Sequence, residues 1–201
     1  MQSAAVIVGV VLAAGLARRM GRGKLLLDLG GAPVIRRTVE AVLAAGLDLV
    51  LVVVGPEHAA IREALSGLPV ELAVNPEPEA GQGRSIRAGI EALPPGATAA
   101  LVAMGDQPTV PAPVIPALRS ALASSGKAIA APVYREGRGN PVLFRAAVFP
   151  ELRRLEGDRG ARSIVELDPG RVALVELDLP MPPDVDTPDD YDRLRQARDP
   201  V

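Results

Sequence analysis

Hydrophobic residues along the chain follow two alternating patterns. Five runs rich in apolar and β-branched residues predict strands: Val6–Leu12, Leu47–Val54, Val70–Val74, Ala99–Met104 and Lys127–Val133. Four intervening segments have apolar residues three and four positions apart and predict helices: Ile35–Ala45, Glu57–Leu65, Ser85–Leu93 and Val114–Ala123. Repeated strand and helix units with right-handed crossovers predict an α/β fold, a three-layer Rossmann-like, mostly parallel twisted sheet with helices on both faces.

The pattern changes after Tyr134. A glycine- and arginine-rich turn, a short strand and a helix are predicted there: Arg135–Asn140, Pro141–Phe144 and Ala146–Leu155. We expect residues 134–155 to form an inserted lobe on the substrate side of a single domain that spans residues 1–201. A helix, a strand and a last helix close the chain: from about Ala161, near Val172–Val175, and Pro188–Ala197.

Composition excludes several kinds of chemistry. The chain has no cysteine and a single histidine, His58. Thiolate nucleophiles, disulfides, Cys/His zinc sites and histidine proton relays are therefore excluded, and any metal must be held by oxygen ligands. With a net charge of -2 and 2% aromatic residues, the chain also lacks the positive field and the stacking surfaces that bind nucleic acid.

The first apolar run is too short to cross a membrane. Ala4–Ala17 is the longest uncharged stretch and has 14 residues, against the roughly 20 that a membrane-spanning helix requires. No basic residue precedes it, as a secretory signal would require. We therefore expect a cytoplasmic protein that has no membrane partner.

The segment after the first predicted strand combines flexibility with positive charge. It carries three glycines and four cations: Gly15, Gly21, Gly23, Arg18, Arg19, Arg22 and Lys24. Backbone N–H groups of glycines can surround an anion while the cations neutralise it, so the loop suits polyphosphate. The alternative is a surface loop with solvated charges. A Walker A motif is excluded, because Arg18 replaces its first glycine and Leu25 its Ser or Thr.

Carboxylates occur in two distant segments. Asp106 follows the fourth predicted strand, and Asp184 and Asp186 precede the last predicted helix. Proteins bind Mg²⁺ through one or two carboxylates plus substrate phosphates, which these acids could supply. Helix capping accounts for Thr187–Asp190 but leaves Asp184 and Asp186 without a structural role. For Asp106, an ordinary turn position is the alternative.

Further glycine-rich turns offer ligand groups. Gly81 opens a predicted helix, and the free N–H groups of helix N-termini bind anions and polar ligands. Simple helix initiation, with Ser85 near the cap, is the alternative. The turns Gly137–Pro141 and Gly157–Arg162 could present amide and guanidinium groups to an anionic second substrate, or could be tight turns only.

Together these segments resemble the nucleotidyltransferases of the molybdenum cofactor, above all the cytidylyltransferase branch. Leu12–Leu27 is similar to the family signature L-A-A-G-x-S/A-x-R-M-G-x-x-K-L-L-L. Four later blocks also match: Gly105–Pro108, Gly139–Val142, Gly157–Arg162 and Asp184–Pro188. The resemblance covers essentially the whole chain. It implies a fold of the glycosyltransferase-A type that binds a nucleoside triphosphate and Mg²⁺ over the strand ends.

The resemblance also implies residue roles. Nine positions match nucleotide-binding ones: Leu12, Ala13, Ala14, Gly15, Arg19, Lys24, Gly81, Ser85 and Asp106. Of these, Arg19, Lys24 and Asp106 would be catalytic. Asp106 and Asp186 would hold the metal, with Asp184 as a neighbour. Two residues, Asn140 and Arg162, would bind the second substrate.

The implied activity is transfer of CMP from CTP to the phosphate of molybdopterin, with release of pyrophosphate and Mg²⁺ as cofactor. CTP is favoured because Ala14 stands where the guanylyl branch usually has a second glycine. Gln82–Arg84, however, replaces the serines that the family commonly has after this glycine turn, so other substrates stay open. These are GTP or another nucleoside triphosphate with a sugar phosphate or phospholactate. A non-catalytic carrier that delivers a nucleotide cofactor to a partner such as a molybdoenzyme is the alternative from another class.

Overall fold

A computed structural model describes residues 5–15 and 23–198 of the chain. The strands are β1 Val6–Leu12, β2 Leu49–Val54, β3 Glu71–Val74, β4 Ala97–Met104, β5 Ile129–Tyr134, β6 Gly137–Arg138, β7 Val142–Arg145 and β8 Val172–Glu176. The α-helices are α1 Val34–Ala44, α2 Ala59–Ala64, α3 Gln82–Glu91, α4 Val114–Ser125, α5 Phe149–Leu152, α6 Arg162–Leu167 and α7 Pro188–Arg198. Short 3₁₀ turns occupy Lys24–Leu26, Pro78–Ala80, Ala146–Val148, Gly157–Arg159 and Pro169–Arg171.

All eight strands belong to one sheet. Across the sheet, the hydrogen-bonded strands follow the order β3-β2-β1-β4-β7-β5-β6. The remaining strand, β8, also pairs with β5. The pairs β1–β2, β1–β4, β2–β3 and β5–β8 are parallel, whereas β7 is antiparallel to both its neighbours and β6 to β5. The predicted α/β fold with a mostly parallel sheet is therefore confirmed.

Helices cover both faces of the sheet. Successive residues of a strand point to opposite faces, and the central strands are apolar at consecutive positions, so both faces must be buried. Neighbouring residues of β1 contribute to opposite faces. Val11 belongs to the core that contains Ile35 of α1 and Leu118 of α4. Val10 belongs to the core that contains Ile86 of α3. These side chains are all essentially inaccessible to solvent.

Residues 134–155 do not form the inserted lobe that the sequence pattern suggests. β7 lies in the middle of the sheet between β4 and β5, with Val142 opposite Val102. Leu143 and Phe144 are fully buried. A run that buries consecutive side chains on both faces belongs inside the sheet, although its antiparallel direction breaks the preceding strand and helix repeat.

Other boundaries differ from the prediction by a few residues. β1 has the predicted bounds, but the predicted helix Ala146–Leu155 shortens to the four residues of α5. α3 begins at Gln82, three residues before Ser85, directly after Gly81 with its φ of 101°. In the described part of the chain, no helix combines the length and the apolar character needed to span a bilayer.

Candidate active site

The loops after β1 and β4 begin side by side. Because these strands are parallel, with Leu12 opposite Met104, both loops leave the same edge of the sheet. The N–H of Gly105 donates a hydrogen bond of 2.9 Å to the carbonyl of Leu12. A Cβ at Gly105 would lie 2.6 Å from that carbonyl oxygen, so the close approach requires glycine. This approach places Asp106 next to the segment that carries Lys24.

Lys24 joins two carboxylates that are far apart in the sequence. Its Nζ donates to Oδ2 of Asp106 at 2.6 Å and to Oδ1 of Asp186 at 2.9 Å. The Lys24 and Asp106 side chains are 11% and 12% exposed, and that of Asp186 is 47% exposed. Asp186 is held there by its neighbour Val185, whose side chain is fully buried and whose N–H donates to the carbonyl of Asp106 at 3.0 Å.

The charges in this cluster support one another. Burial by itself would lower the pKa of Lys24, but the hydrogen bonds and charges of Asp106 and Asp186 outweigh it, so the pKa is raised above its ordinary value. The lysine is therefore fully charged at neutral pH. Asp106 and Asp186 therefore share one cationic partner in this structure.

The residues present fit a divalent cation. Oδ1 of Asp106 is buried and has no hydrogen-bond partner among the described residues, so it is free to coordinate. The described residues contain no group of three or more acids or histidines arranged to hold a metal. A bound ion would therefore use Asp106 and Asp186 together with substrate phosphates, which is the mode that Mg²⁺ prefers.

A cavity of about 330 Å³ adjoins the cluster, and we call it the nucleotide cavity. Six of the residues expected to bind nucleotide line it: Leu12, Gly15, Lys24, Gly81, Ser85 and Asp106. Ala13 and Ala14 line an adjoining cavity of about 270 Å³, together with Gly15 and Lys24. Arg19 lies outside the described residues.

Ser85 is not a helix cap. It lies in the second half of the first turn of α3, is 6% exposed, and its Oγ accepts a hydrogen bond of 3.1 Å from Nδ2 of Asn75. Asn75 follows β3 and is 1% exposed. The sequence analysis missed Asn75, although a polar residue directly after a predicted strand is a usable signal. This hydrogen bond holds the Ser85 side chain, which lines the nucleotide cavity.

The start of α3 is shaped by close backbone packing. A Cβ at Gly81 would lie 2.5 Å from the carbonyl carbon of Gly157, and one at Gly83 would lie 2.8 Å from the N atom of Glu156. These glycines let the turn that follows Leu155 pack directly on the helix N-terminus. The glycine-rich motifs predicted around Gly81 and Gly157 therefore meet in space.

A third cavity, of about 300 Å³, lies beside the nucleotide cavity, and we call it the acceptor cavity. Leu12, Gln82 and Met104 line both. Asn140 and Arg162, expected to bind the second substrate, line the acceptor cavity.

The acceptor cavity has a basic border that the sequence identified only in part. Nε of Arg162 donates to Oε1 of Glu166 at 2.7 Å, and Nη2 of Arg138 donates to the same oxygen at 2.9 Å. Arg138 also lines this cavity. Two guanidinium groups that share one carboxylate keep donors available for an anionic ligand.

Asp184 does not bind Lys24. Its Oδ1 accepts a hydrogen bond of 2.8 Å from Nε2 of Gln107, and both residues line the acceptor cavity. Partial desolvation of the carboxyl, the negative charge of Asp106 and that of Asp186 raise the pKa of Asp184, although the Gln107 hydrogen bond opposes the rise. Gln107 is a second residue that the sequence analysis did not single out.

Several characterised proteins are similar to this chain along nearly its whole length. Purine catabolism protein PucB of Bacillus subtilis is 33% identical, with 95% of this chain and 97% of PucB covered. Nicotine blue oxidoreductase of Paenarthrobacter nicotinovorans is 31% identical, with 94% of each covered. The molybdenum cofactor guanylyltransferase of Rhodobacter capsulatus is 34% identical, with 94% and 97% covered.

Solved structures share the fold. Rv0371c of Mycobacterium tuberculosis superposes with a TM-score of 0.85 and 32% identity, covering 96% of this chain and all of that one. A manganese complex of Rv0371c gives a TM-score of 0.82 and 31% identity over 95% and 98%.

The family assignment agrees with this geometry. The sequence model of the MobA-like NTP transferase domain matches residues 9–176, which include most of β1, all of β4 and the loops that follow them. The chain therefore belongs to the MobA-like NTP transferase family.

Proposed function

We propose that this protein transfers CMP from CTP to the phosphate of molybdopterin and releases pyrophosphate. The observation that carries the proposal is the convergence of Lys24, Asp106 and Asp186 at the edge of the nucleotide cavity. One cation and two carboxylates that meet beside the carboxyl end of β4 suit a nucleoside triphosphate that arrives with a divalent ion.

The reaction needs no protein nucleophile. A phosphate oxygen of the acceptor attacks the α-phosphorus of CTP in line, forms the new P–O bond, and displaces pyrophosphate. The attacking phosphate is already ionised near neutral pH, so a histidine base is unnecessary. Catalysis then depends on positioning and on charge neutralisation.

Each residue of the cluster has a proposed task. Asp106 and Asp186 would hold a divalent ion, which when bound neutralises phosphate oxygens and polarises the α-phosphorus. Lys24 would leave its two carboxylates and donate to the triphosphate, where it offsets the charge that develops on the leaving pyrophosphate. Arg19, whose motif position matches the phosphate loop, would act beside it.

The base would be read through hydrogen bonds to its edge. The chain has only 2% aromatic residues, so backbone groups of Leu12–Gly15 and the side chain of Ser85, which lines the nucleotide cavity, are the proposed partners. Ala14 supports CTP through the family resemblance. GTP is the second candidate, because the similar protein of Rhodobacter capsulatus is a guanylyltransferase.

The acceptor would occupy the neighbouring cavity. Asn140, Arg138 and Arg162 supply amide and guanidinium groups there. An anionic, phosphorylated small molecule fits this border. The product would then be passed to a molybdoenzyme in the cytoplasm.

The test is a matrix of CTP, GTP, ATP and UTP against molybdopterin, glucose 1-phosphate and phospholactate, with Mg²⁺ or Mn²⁺ and pyrophosphate as the readout. We expect the highest kcat/KM for CTP with molybdopterin, and no release without a divalent ion. A preference for another pair would replace the proposed substrates. Tight binding of the finished dinucleotide with no pyrophosphate release under any condition would instead support the carrier function.

A further inference from the structure

Gln107 and Asp184 form a pair that the proposed chemical step does not use. Gln107 directly follows Asp106, whereas Asp184 lies in the segment before α7, and the bond from Nε2 of Gln107 to Oδ1 of Asp184 is 2.8 Å long. Both side chains line the acceptor cavity. The bond therefore keeps Asp184 on the acceptor side, while Asp186, two residues later, binds Lys24.

The chemistry of this bond sets the orientation of the amide. A carboxylate offers only acceptors, so the amide nitrogen of Gln107 must face Asp184 and its oxygen must point elsewhere. Gln107 is 3% exposed, and its Oε1 is buried without a hydrogen-bond partner among the described residues. A buried acceptor that lacks a hydrogen-bond partner is destabilising. A donor on a bound ligand would remove that destabilisation.

We propose that Gln107 and Asp184 determine acceptor specificity by accepting hydrogen bonds from two neighbouring donors on the acceptor. Because the two residues are joined by a hydrogen bond and both line the cavity, a molecule with adjacent N–H or O–H groups would satisfy both. The inference rests on the proposed function for the reaction, and it concerns the part of the acceptor that does not react.

Two kinds of acceptor carry such paired donors. A pterin presents its 2-amino group beside a ring N–H, and a sugar presents vicinal hydroxyls. The lining combines polar side chains with apolar ones, and a flat heterocycle would place its faces on the apolar set and its edge on Gln107 and Asp184. The apolar set includes Ile86, Val102, Val142, Val165 and Met181. A sugar needs polar partners around most of its ring, whereas a pterin needs them at its edge.

Binding of free pterin tests recognition apart from catalysis, because pterin has no phosphate. It would be titrated by calorimetry into the wild type, Gln107→Leu and Asp184→Asn, with CTP titrated separately. Asp184→Asn keeps an oxygen for the Gln107 amide but replaces an acceptor with a donor. Gln196→Leu, on the exposed part of α7, is the matched control. We expect pterin Kd to rise at least tenfold in both variants, with CTP Kd within twofold.

Steady-state kinetics give the second readout. With CTP saturating, the KM for molybdopterin should rise at least tenfold in both variants, while the KM for CTP stays within twofold. If the KM rises comparably for glucose 1-phosphate alone, the result would confirm recognition of paired donors but would assign it to a sugar. If Gln107→Leu fails to fold, as judged by its melting curve, Asp184→Asn decides.

Unchanged Kd and KM for every acceptor would overturn the inference. An equal loss of affinity for the acceptor and for CTP would also overturn it. The inference and the proposed function can fail separately. If both variants release pyrophosphate from CTP and molybdopterin with the wild-type KM, the proposed role of Gln107 and Asp184 is refuted, but the proposed reaction is not. Pterin binding that depends on the pair, without any pyrophosphate release, refutes the proposed reaction alone.

Discussion

Lys24 and Asp106 are joined by a hydrogen bond of 2.6 Å between Nζ and Oδ2, although 82 positions separate them in the sequence. The same ammonium group binds Asp186. Lys24 thus lies between the two carboxylates proposed to hold a metal ion. The lysine charge offsets theirs, and in the proposed mechanism Lys24 would move toward the phosphates when a nucleotide binds with its metal ion.

Replacing Lys24 by Ala should lower kcat by about two to three orders of magnitude, because loss of one group that stabilises the transition-state charge has about that effect. Lys127→Ala is the matched control. This second lysine donates to the carbonyl of Gly170, and it lines none of the three cavities described above. Pyrophosphate release under saturating substrates measures the effect. Near-normal turnover of Lys24→Ala would remove Lys24 from the mechanism.

Lys24→Met should destabilise the protein in the absence of metal. The substitution leaves Asp106, which is largely buried, next to Asp186 without a compensating cation, and like charges in close contact are unfavourable. We expect the Tm to fall by several degrees in EDTA and to recover with Mn²⁺. The rise in Tm caused by Mn²⁺ should be larger in Lys24→Met than in the wild type. An equal rise in both proteins would contradict the view that lysine and metal occupy the same place.

Gly81→Ala should destabilise the protein and weaken nucleotide binding. Its Cβ would lie 2.5 Å from the backbone of Gly157, so the turn that borders both cavities must move. Gly96→Ala is the matched control, because Gly96 also has a positive φ but open space around its Cβ. In denaturant titrations, Gly81→Ala should lower the free energy of unfolding by about 1–3 kcal/mol more than Gly96→Ala does. It should also raise the KM for CTP. Equal losses would show that backbone strain alone matters.

Stability should decrease in acid partly through Glu151. Arg171 donates to both carboxylate oxygens of Glu151 at 2.6 Å, tying α5 to the start of β8. The Arg171 hydrogen bond lowers the pKa of Glu151 below its ordinary value. The stabilisation is therefore present above the unfolded-state pKa and is lost as the pH falls through the folded-state pKa.

The Glu151→Gln variant tests this pH dependence. The substitution should lower the free energy of unfolding by up to about 1 kcal/mol at pH 7, since both side chains are partly exposed. At pH 3 the decrease should be smaller. Glu176→Gln, an exposed position on β8, is the control. A pH-independent difference between Glu151→Gln and the wild type would argue against the ion pair.

The sequence predicted best what depends on local pattern. The bounds of β1 and the parallel direction of the first strands follow from continuous apolar runs. Asp106 and Asp186, which meet at Lys24, were singled out because each follows or precedes a recognisable element, and their role as metal ligands stays a prediction. β7 was misplaced because its insertion between β4 and β5 depends on partners distant in sequence. Gln107 was missed for the same reason, since Asp184 is 77 positions away.

The roles of arginine were also hidden from local pattern. Arg36 donates to the carbonyls of Ala64, the last residue of α2, and Ser66. Arg119 donates to those of Ala45 and Gly46, directly after α1. These side chains satisfy carbonyl groups at the ends of other helices. Such contacts join distant segments, so charge patterning along one helix does not reveal them.

Binding of Mn²⁺ tests the central claim most directly. The titration would be done by calorimetry in the presence of a non-hydrolysable CTP analogue, with the wild type, Asp106→Asn and Asp186→Asn. Asp178→Asn, whose side chain is 91% exposed, is the control. We predict that each of the first two variants binds Mn²⁺ at least tenfold more weakly than the wild type and the control. Wild-type affinity in both variants would contradict the proposal that these two aspartates share a metal ion with the nucleotide.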